Sequence, residues 1–206
     1  MEKIGIFGGT FNPPHIGHLI LAETAADALR LNHVFFVPAA EPPHKVGMPR
    51  ASVEDRLKMV EMSIEGNAGF SLSRVDIDRP GPHYAVDTIK TFQEQFPDAD
   101  LHFLMGSDSL RDLLTWEHPG ELVNLCKIVV MSRPVVPPDM DSLFAEIPEL
   151  REKLISISSP EIEISSTNIV ARVRNGQSVR YRVQESVREY IYNYGLYTNP
   201  TRESIK

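Results

Sequence analysis

The sequence predicts a doubly wound α/β fold built on a parallel sheet, and three observations carry that prediction. Apolar runs of strand length alternate with segments of helical period along most of the chain. Several of those runs are apolar on both faces, as strands are when helices cover both sides of a parallel sheet. A glycine-rich turn follows the first run, and ligands bind such sheets beyond the carboxyl ends of their strands.

The elements follow in order. Residues 3–7 read as the first strand, and 17–31 as a helix opening near His15 or Ile16, after the turn residues Asn12, Pro13 and Pro14. A second strand covers 33–37. Residues 38–50 hold four prolines and read as a surface loop before a helix at 53–64. Strands at 72–77, 101–105, 127–131 and 154–157 then alternate with helices at 85–95, 107–114 and 141–153. Three prolines at 134–139 mark a second loop. Helices at 167–174 and 183–194, the latter stopped by Gly195, close the chain. The reading is one domain over 1–206, with a small helical portion at about 160–206.

Composition bounds the function. The chain has 206 residues, 42% apolar and 24% charged, enough for a full core, so disorder is excluded for most of its length. A net charge of −7 sets the surface against nucleic acid and anionic lipid, while anionic small molecules need a local gathering of basic groups. The single cysteine, Cys126, excludes an internal disulfide and a cysteine-based zinc site; it reads as a buried small hydrophobe. No apolar run approaches the ~20 residues of a membrane span, and no leader follows Met1. The expectation is a soluble, reduced, cytoplasmic protein, with a homo-oligomer left open.

The chemistry concentrates after the first strand, in Gly8-Gly9-Thr10-Phe11-Asn12-Pro13-Pro14-His15-Ile16-Gly17-His18. Adjacent glycines let the backbone turn sharply with no Cβ in the way. A helix N-terminus there would face the open end of the sheet and favour phosphate. His15 and His18 are three apart, so their imidazoles share a face, and Gly17 between them leaves room for a flat group such as adenine. The plainer reading is a tight turn followed by two unrelated histidines; their position behind Gly8-Gly9-Thr10 favours the functional one. This is not G-x-G-x-x-G, and no acidic residue ends the second strand at Val37, which disfavours a dinucleotide redox site.

The same stretch resembles the signature of the HxGH nucleotidyltransferase superfamily. Class I aminoacyl-tRNA synthetases share the element but are much longer, and no KMSKS is present. Further segments recur in order: Pro42-Pro43-His44-Lys45, Arg56-Leu57-Lys58-Met59, Arg79 to Thr88, Met105-Gly106-Ser107-Asp108, Trp116, Ser132-Arg133-Pro134 and Ile164-Ser165-Ser166-Thr167. Together they resemble the bacterial nicotinate-mononucleotide adenylyltransferase family from about Ile4 to Gly195. The resemblance implies a Rossmann-like nucleotidyltransferase fold. The implied reaction is transfer of AMP from ATP to nicotinate mononucleotide, releasing pyrophosphate, with Mg²⁺ accompanying ATP and no protein metal site. It implies an ATP site at Gly8, Gly9, Thr10, Phe11, His15, His18, Gly106, Asp108, Ser166 and Thr167, with His18 and His15 as the catalytic pair. Lys45, Tyr84, Ala85, Trp116 and Arg133 would meet the mononucleotide.

Two positions depart from the family pattern. Where it usually reads Ser-Tyr-Thr, this chain has His83-Tyr84-Ala85, so contact with the ring carboxylate is expected from backbone N–H groups. Where it tends to carry Arg, Val170 stands, and Arg172 or Arg174 is a candidate replacement pointing in another direction. Plainer readings accompany several residues: Asp108 as a helix cap, Ser166 and Thr167 likewise, Trp116 as a core anchor. His33, His102 and His118 read as structural or surface, and Arg180 and Arg182 as a solvated edge. Two alternatives stay open: another phosphorylated acceptor, such as nicotinamide mononucleotide or phosphopantetheine, and a nucleotide-binding regulator without turnover.

Overall fold

The computed structural model describes residues 1–40, 51–132, 139–158, 160 and 162–198. Six strands, β1 Lys3–Gly9, β2 His33–Pro38, β3 Phe70–Leu72, β4 Asp100–Gly106, β5 Lys127–Ser132 and β6 Leu154–Ser158, form one sheet. Their order is β3-β2-β1-β4-β5-β6, and every adjacent pair runs parallel. The order reverses between β1 and β4, so the crevice at their carboxyl ends is the switch point where such sheets bind ligands. Gly8, Gly9 and Gly106 end these two strands.

The helices are α1 Ile16–Leu29, α2 Val53–Ile64, α3 Val75–Asp78, α4 Ala85–Gln95, α5 Ser107–Arg111, α6 Pro119–Leu125, α7 Met140–Glu146, α8 Leu150–Lys153, α9 Ser166–Arg174 and α10 Glu185–Asn193. Strand alternation divides the core. Ile4, Ile6, Phe103, Met105, Ile128 and Val130 join Val86, Ile89 and Phe92 of α4 and Leu122 and Val123 of α6. Phe7, Leu104, Val129 and Met131 join Leu21, Ala22 and Ala25 of α1 and Val60 of α2 on the other face. Both faces are covered, which is why the strands read as continuous apolar runs. A third cluster unites Met59 of α2 with Ile169 and Val173 of α9, Val187 and Ile191 of α10, and Tyr197.

Local chemistry sets the helix ends. Ser52 and Asp55 form a reciprocal capping box at the start of α2, where Glu54 and Asp55 also complement the helix dipole. Gly195, at φ +60, ends the last helix as expected, and the Leu196 N–H returns to the Ile191 carbonyl at 2.9 Å. Cys126 is buried, its thiol pushed up to about 12, which fits a packing role rather than a nucleophile. No helix among the described residues is long and apolar enough to cross a membrane.

Three expectations are corrected. The strand expected at 72–77 is Phe70–Leu72, and the next turn is α3, where Asp76 bonds Arg79 and Thr88 instead of facing outward from a sheet. The helix expected at 141–153 is split into α7 and α8 at Pro148, which has no N–H to continue it. The helix expected at 107–114 stops at Arg111, and a 3₁₀ turn covers Leu113–Thr115. The short α6, opened by Pro119, had no counterpart in the sequence reading.

Candidate active site

His15 caps α1 and His18 is the third residue of that helix. Each ring binds the other's backbone: His18 N–H donates to His15 Nδ1 at 3.3 Å, and His15 N–H donates to His18 Nδ1 at 3.1 Å. An Nδ1 that accepts a hydrogen bond carries no proton, so both neutral rings hold theirs on Nε2. The rings stack at 3.6 Å between centroids and 21° between planes, and His18 also meets Phe7 and Phe11 edge-on. The arrangement therefore produces two Nε2–H donors of fixed direction, the deeper one buried.

The amide groups of α1 are less available than the sequence suggests. Ile16 N–H is bonded to the Arg182 carbonyl at 2.9 Å, and His18 N–H is used in the cap. Gly17 N–H is the first-turn amide with no partner among the described residues. Among the described residues the backbone of this first turn thus offers one N–H, that of Gly17, beside the two imidazoles.

The preceding loop is pinned from three directions. Arg56 of α2, only 2% exposed, donates to the carbonyls of Thr10 and Ala39, both at 2.8 Å, and of Ala40 at 3.0 Å. Asn12 Oδ1 accepts from the Tyr197 hydroxyl at 2.9 Å and from Ala51 N–H at 3.1 Å. Ser166 Oγ donates to the Pro13 carbonyl at 2.8 Å. Burial raises the Tyr197 pKa, which keeps its hydroxyl a donor. Phe11 is a core residue at φ +47, its ring lying under Gly9: a Cβ there would sit 2.9 Å from Phe11 Cζ. Gly9 is required by that close approach, and any nucleotide contact by Phe11 falls to its backbone.

The helix α9 meets this loop with its N-terminus. Its cap is Ser165, whose hydroxyl takes the Asn168 N–H, so the capping role weighed for Ser166 belongs to its neighbour. Thr167 follows in the first turn. Val170 packs against the third cluster, and Arg172 Nε donates to the Ser178 carbonyl at 2.9 Å.

Across the sheet, on the α4 face, stand three of the residues expected at the mononucleotide, Tyr84, Ala85 and Trp116. A Cβ on Gly8 would touch Phe103 at 3.4 Å, and Phe103 meets the edge of the half-buried Trp116 at 6.0 Å. Tyr84 caps α4 through its backbone and Ala85 opens that helix; no side chain caps this end. Space is open where Gly106 would carry a Cβ. Asp108 is not the cap of α5, which is Gly106; it is exposed and pairs with Arg111 at 2.8 Å. Two buried polar atoms near these segments, His83 Nδ1 and Ser107 Oγ, have no protein partner among the described residues. Lys45 and Arg133, and His44 with them, lie outside the described residues. His33, the first residue of β2, bonds Ser71, and the exposed His118 pairs with Glu117.

Sequence reasoning assigned no role to Arg56, Tyr197 or Ser165. Arg56 had a signal: it occupies the apolar face of α2 defined by Val53, Leu57, Val60 and Ile64, where a cation needs a reason. Among the described residues no group of three or more His, Cys, Asp or Glu side chains could hold a metal.

The cytidylyltransferase-like family model matches residues 6–172. A probable nicotinate-nucleotide adenylyltransferase of Thermomicrobium roseum is 44% identical over 96% of this chain and 92% of its own length. One of Gloeobacter violaceus, named likewise, is 42% identical over 97% of this chain and 98% of its own. Among solved structures, the Plasmodium falciparum nicotinic acid mononucleotide adenylyltransferase complexed with NaAD aligns with a TM-score of 0.78 at 20% identity. It covers 96% of this chain and 98% of that one, a likeness of fold. With the Gly8–His18 loop at the switch point and such identity over nearly its whole length, the chain belongs to the cytidylyltransferase-like proteins and, within them, to the nicotinate-nucleotide adenylyltransferase family.

Proposed function

We infer that the chain transfers AMP from ATP to nicotinate mononucleotide, giving nicotinate adenine dinucleotide and pyrophosphate in NAD biosynthesis. The observation that carries this reading is the reciprocally capped His15–His18 pair, which aims Nε2–H donors from the α1 side of the switch point. ATP enters as its magnesium salt, a substrate whose metal is held by phosphate oxygens and water.

The nucleophile, a mononucleotide phosphate oxygen, is already anionic near neutral pH, so no strong base is needed. It attacks the α-phosphate in line as pyrophosphate leaves. Catalysis then consists of alignment and charge stabilisation. His18 Nε2–H donates to the α-phosphate as charge develops, with His15 stacked beside it. The Thr167 hydroxyl and the N–H groups of Ser166 and Thr167, in the first turn of α9, address the outer phosphates together with that helix's dipole, the Ser166 hydroxyl being committed to the Pro13 carbonyl. Gly106 leaves room for the nucleoside and Asp108 accepts from ribose hydroxyls. Lys45 brings a point charge and Arg133 a planar fork to the acceptor's phosphate.

On the α4 face, Trp116 and Tyr84 flank the pyridine ring, and the N–H groups at Ala85 take its carboxylate. A carboxamide presents an NH₂ to those donors, leaving an unsatisfied pair at a cost of about 1–3 kcal/mol. The test is pyrophosphate release from ATP and Mg²⁺ with each acceptor in turn. Nicotinate mononucleotide is expected to exceed the amide in kcat/KM by about one to two decades. Equal use of both, or turnover with neither, would overturn the reading.

A further inference from the structure

The segment that carries Tyr84 and Ala85 is held by a compact polar cluster with no part in the chemistry itself. The Thr88 hydroxyl donates to Asp76 Oδ1 at 2.6 Å, joining α4 directly to α3. Between these two anchors the chain makes a loop, and the Arg79 guanidinium fills it. Its Nη2 donates to the Tyr84 carbonyl at 3.0 Å and to Asp76 at 3.2 Å. Its Nη1 reaches the Pro82 carbonyl at 3.3 Å and Asp87 at 3.4 Å. Thr88 is 2% exposed, and the Arg79 and Asp76 side chains are 19% and 11% exposed. A bond to an ionised group in so closed a setting is stronger than one on open surface.

Two consequences follow. Arg79 is the nearest cation preceding α4 in sequence, yet its fork is committed to two carboxylates and two carbonyls, so the cluster itself carries one net negative charge. It therefore does not supply a counter-ion for an anionic ring. What it does is hold the Tyr84 carbonyl, the first acceptor of α4, which takes the N–H groups of Asp87 and Thr88 at 3.1 and 3.2 Å. That fixes where the uncapped N–H groups at Ala85 and Val86 point.

We propose that Arg79, Asp76 and Thr88 are positioning residues that set acceptor selectivity, by locking the first turn of α4 so that its N–H groups favour a ring carboxylate over a carboxamide. The proposal rests on the nicotinate mononucleotide reading of the site. A hydroxyl or a fork, rather than bulk, makes the lock. Loosening it spreads the direction of the N–H groups, and a misplacement of about 1 Å is enough to forfeit an oriented contact.

Thr88→Val removes the hydroxyl at nearly constant volume, Thr88→Ser restores it, and Arg79→Lys keeps the charge but not the fork. Each is assayed with ATP against nicotinate and nicotinamide mononucleotides, alongside a thermal melt. Thr88→Val and Arg79→Lys are expected to raise KM for the acid about tenfold and shrink the acid-to-amide ratio of kcat/KM by a similar factor, the scale of one hydrogen bond left unmade. KM for ATP should stay within about twofold, and Thr88→Ser should recover the ratio. An unchanged acid-to-amide ratio, or a parallel rise of KM for ATP and acceptor, would overturn the proposal and leave the cluster as scaffold. If Thr88→Val does not fold, Arg79→Lys decides by the same ratio. An unsubstituted enzyme that fails to use nicotinate mononucleotide refutes the functional reading instead, so the two failures are separable.

Discussion

Replacing His18 by Ala and by Asn separates the two things this residue does. As a cap partner it accepts the His15 N–H at 3.1 Å and stacks on the His15 ring at 3.6 Å. Losing half of a capping box costs about 1 kcal/mol. The edge contacts with Phe7 and Phe11 go as well, so about 1–2 kcal/mol in all is expected, a fall of roughly 2–8 °C in Tm for a chain of this size. As a donor to developing charge, Nε2–H accounts for a factor of about 10²–10³ in kcat. Asn places an amide where Nδ1 stands but nothing where Nε2 stands. His18→Asn should therefore recover part of the Tm deficit of His18→Ala while kcat stays about 10²–10³ below the parent. Pyrophosphate release and thermal melts read the two effects independently. Recovery of kcat by Asn would show the imidazole to be a cap alone, and near-normal kcat in His18→Ala would remove it from the transition state.

Two further outcomes are expected. Trp116→Ala should raise KM for the mononucleotide several-fold, the scale of a stack contributing roughly 0.5–1.5 kcal/mol, while KM for ATP barely moves; loss of Tm with unchanged KM would make it a core anchor. His102, 1% exposed among Asp100, Lys127 and Lys3, is held below its ordinary pKa by burial, only partly offset by Asp100. The folded chain thus takes up that proton less readily than the unfolded one. Stability should fall as pH drops below the unfolded value of about 6.5 and level off beneath the lower folded one. Urea midpoints between neutral and mildly acid pH should show a smaller drop for His102→Asn than for the parent, and parallel curves would refute the assignment.

The sheet was legible because its central strands are buried on both faces, and Gly195 marked the end of the last helix. The misreadings have local causes. Leu72-Ser73-Arg74-Val75-Asp76-Ile77 ends in the strand-like alternation Val75-Asp76-Ile77, yet Asp76 is bonded within its own neighbourhood to Arg79 and Thr88, an attraction that periodicity does not register. The seven residues of α6 are too few to show a period. In the site, the spacing of His15 and His18 pointed to a shared face, but their actual relation is cap to third residue, which sets both tautomers. The Tyr197–Asn12 bond spans 185 residues and has no local signature at all.

The Thr10–Pro13 segment explains why those distant residues matter. Phe11, Pro13 and Pro14 are buried, but apolar packing gives the loop's carbonyls and the Asn12 amide no hydrogen-bond partners. Each fixed point comes from outside: Arg56 at Thr10, Tyr197 at Asn12, Ser166 at Pro13, and the Arg182 carbonyl at Ile16. Arg56 lies on α2, Ser166 on α9, and Tyr197 and Arg182 in the segments around α10. Met59, Ile169, Val173, Val183, Val187 and Tyr197 share one apolar cluster, separate from the two that sandwich the sheet. The sheet therefore supplies the switch point, while the third cluster supplies the struts that hold the Thr10–Pro13 loop over it. A cavity opened in that cluster moves several struts together, because packed interiors transmit strain. Strand alternation supplies the remaining division: Phe7 turns toward the α1 face with its histidines, and Gly8 toward Phe103 and Trp116 on the α4 face. Two consecutive residues of one strand thus face opposite sides of the sheet, which in the proposed function are the triphosphate side and the acceptor side.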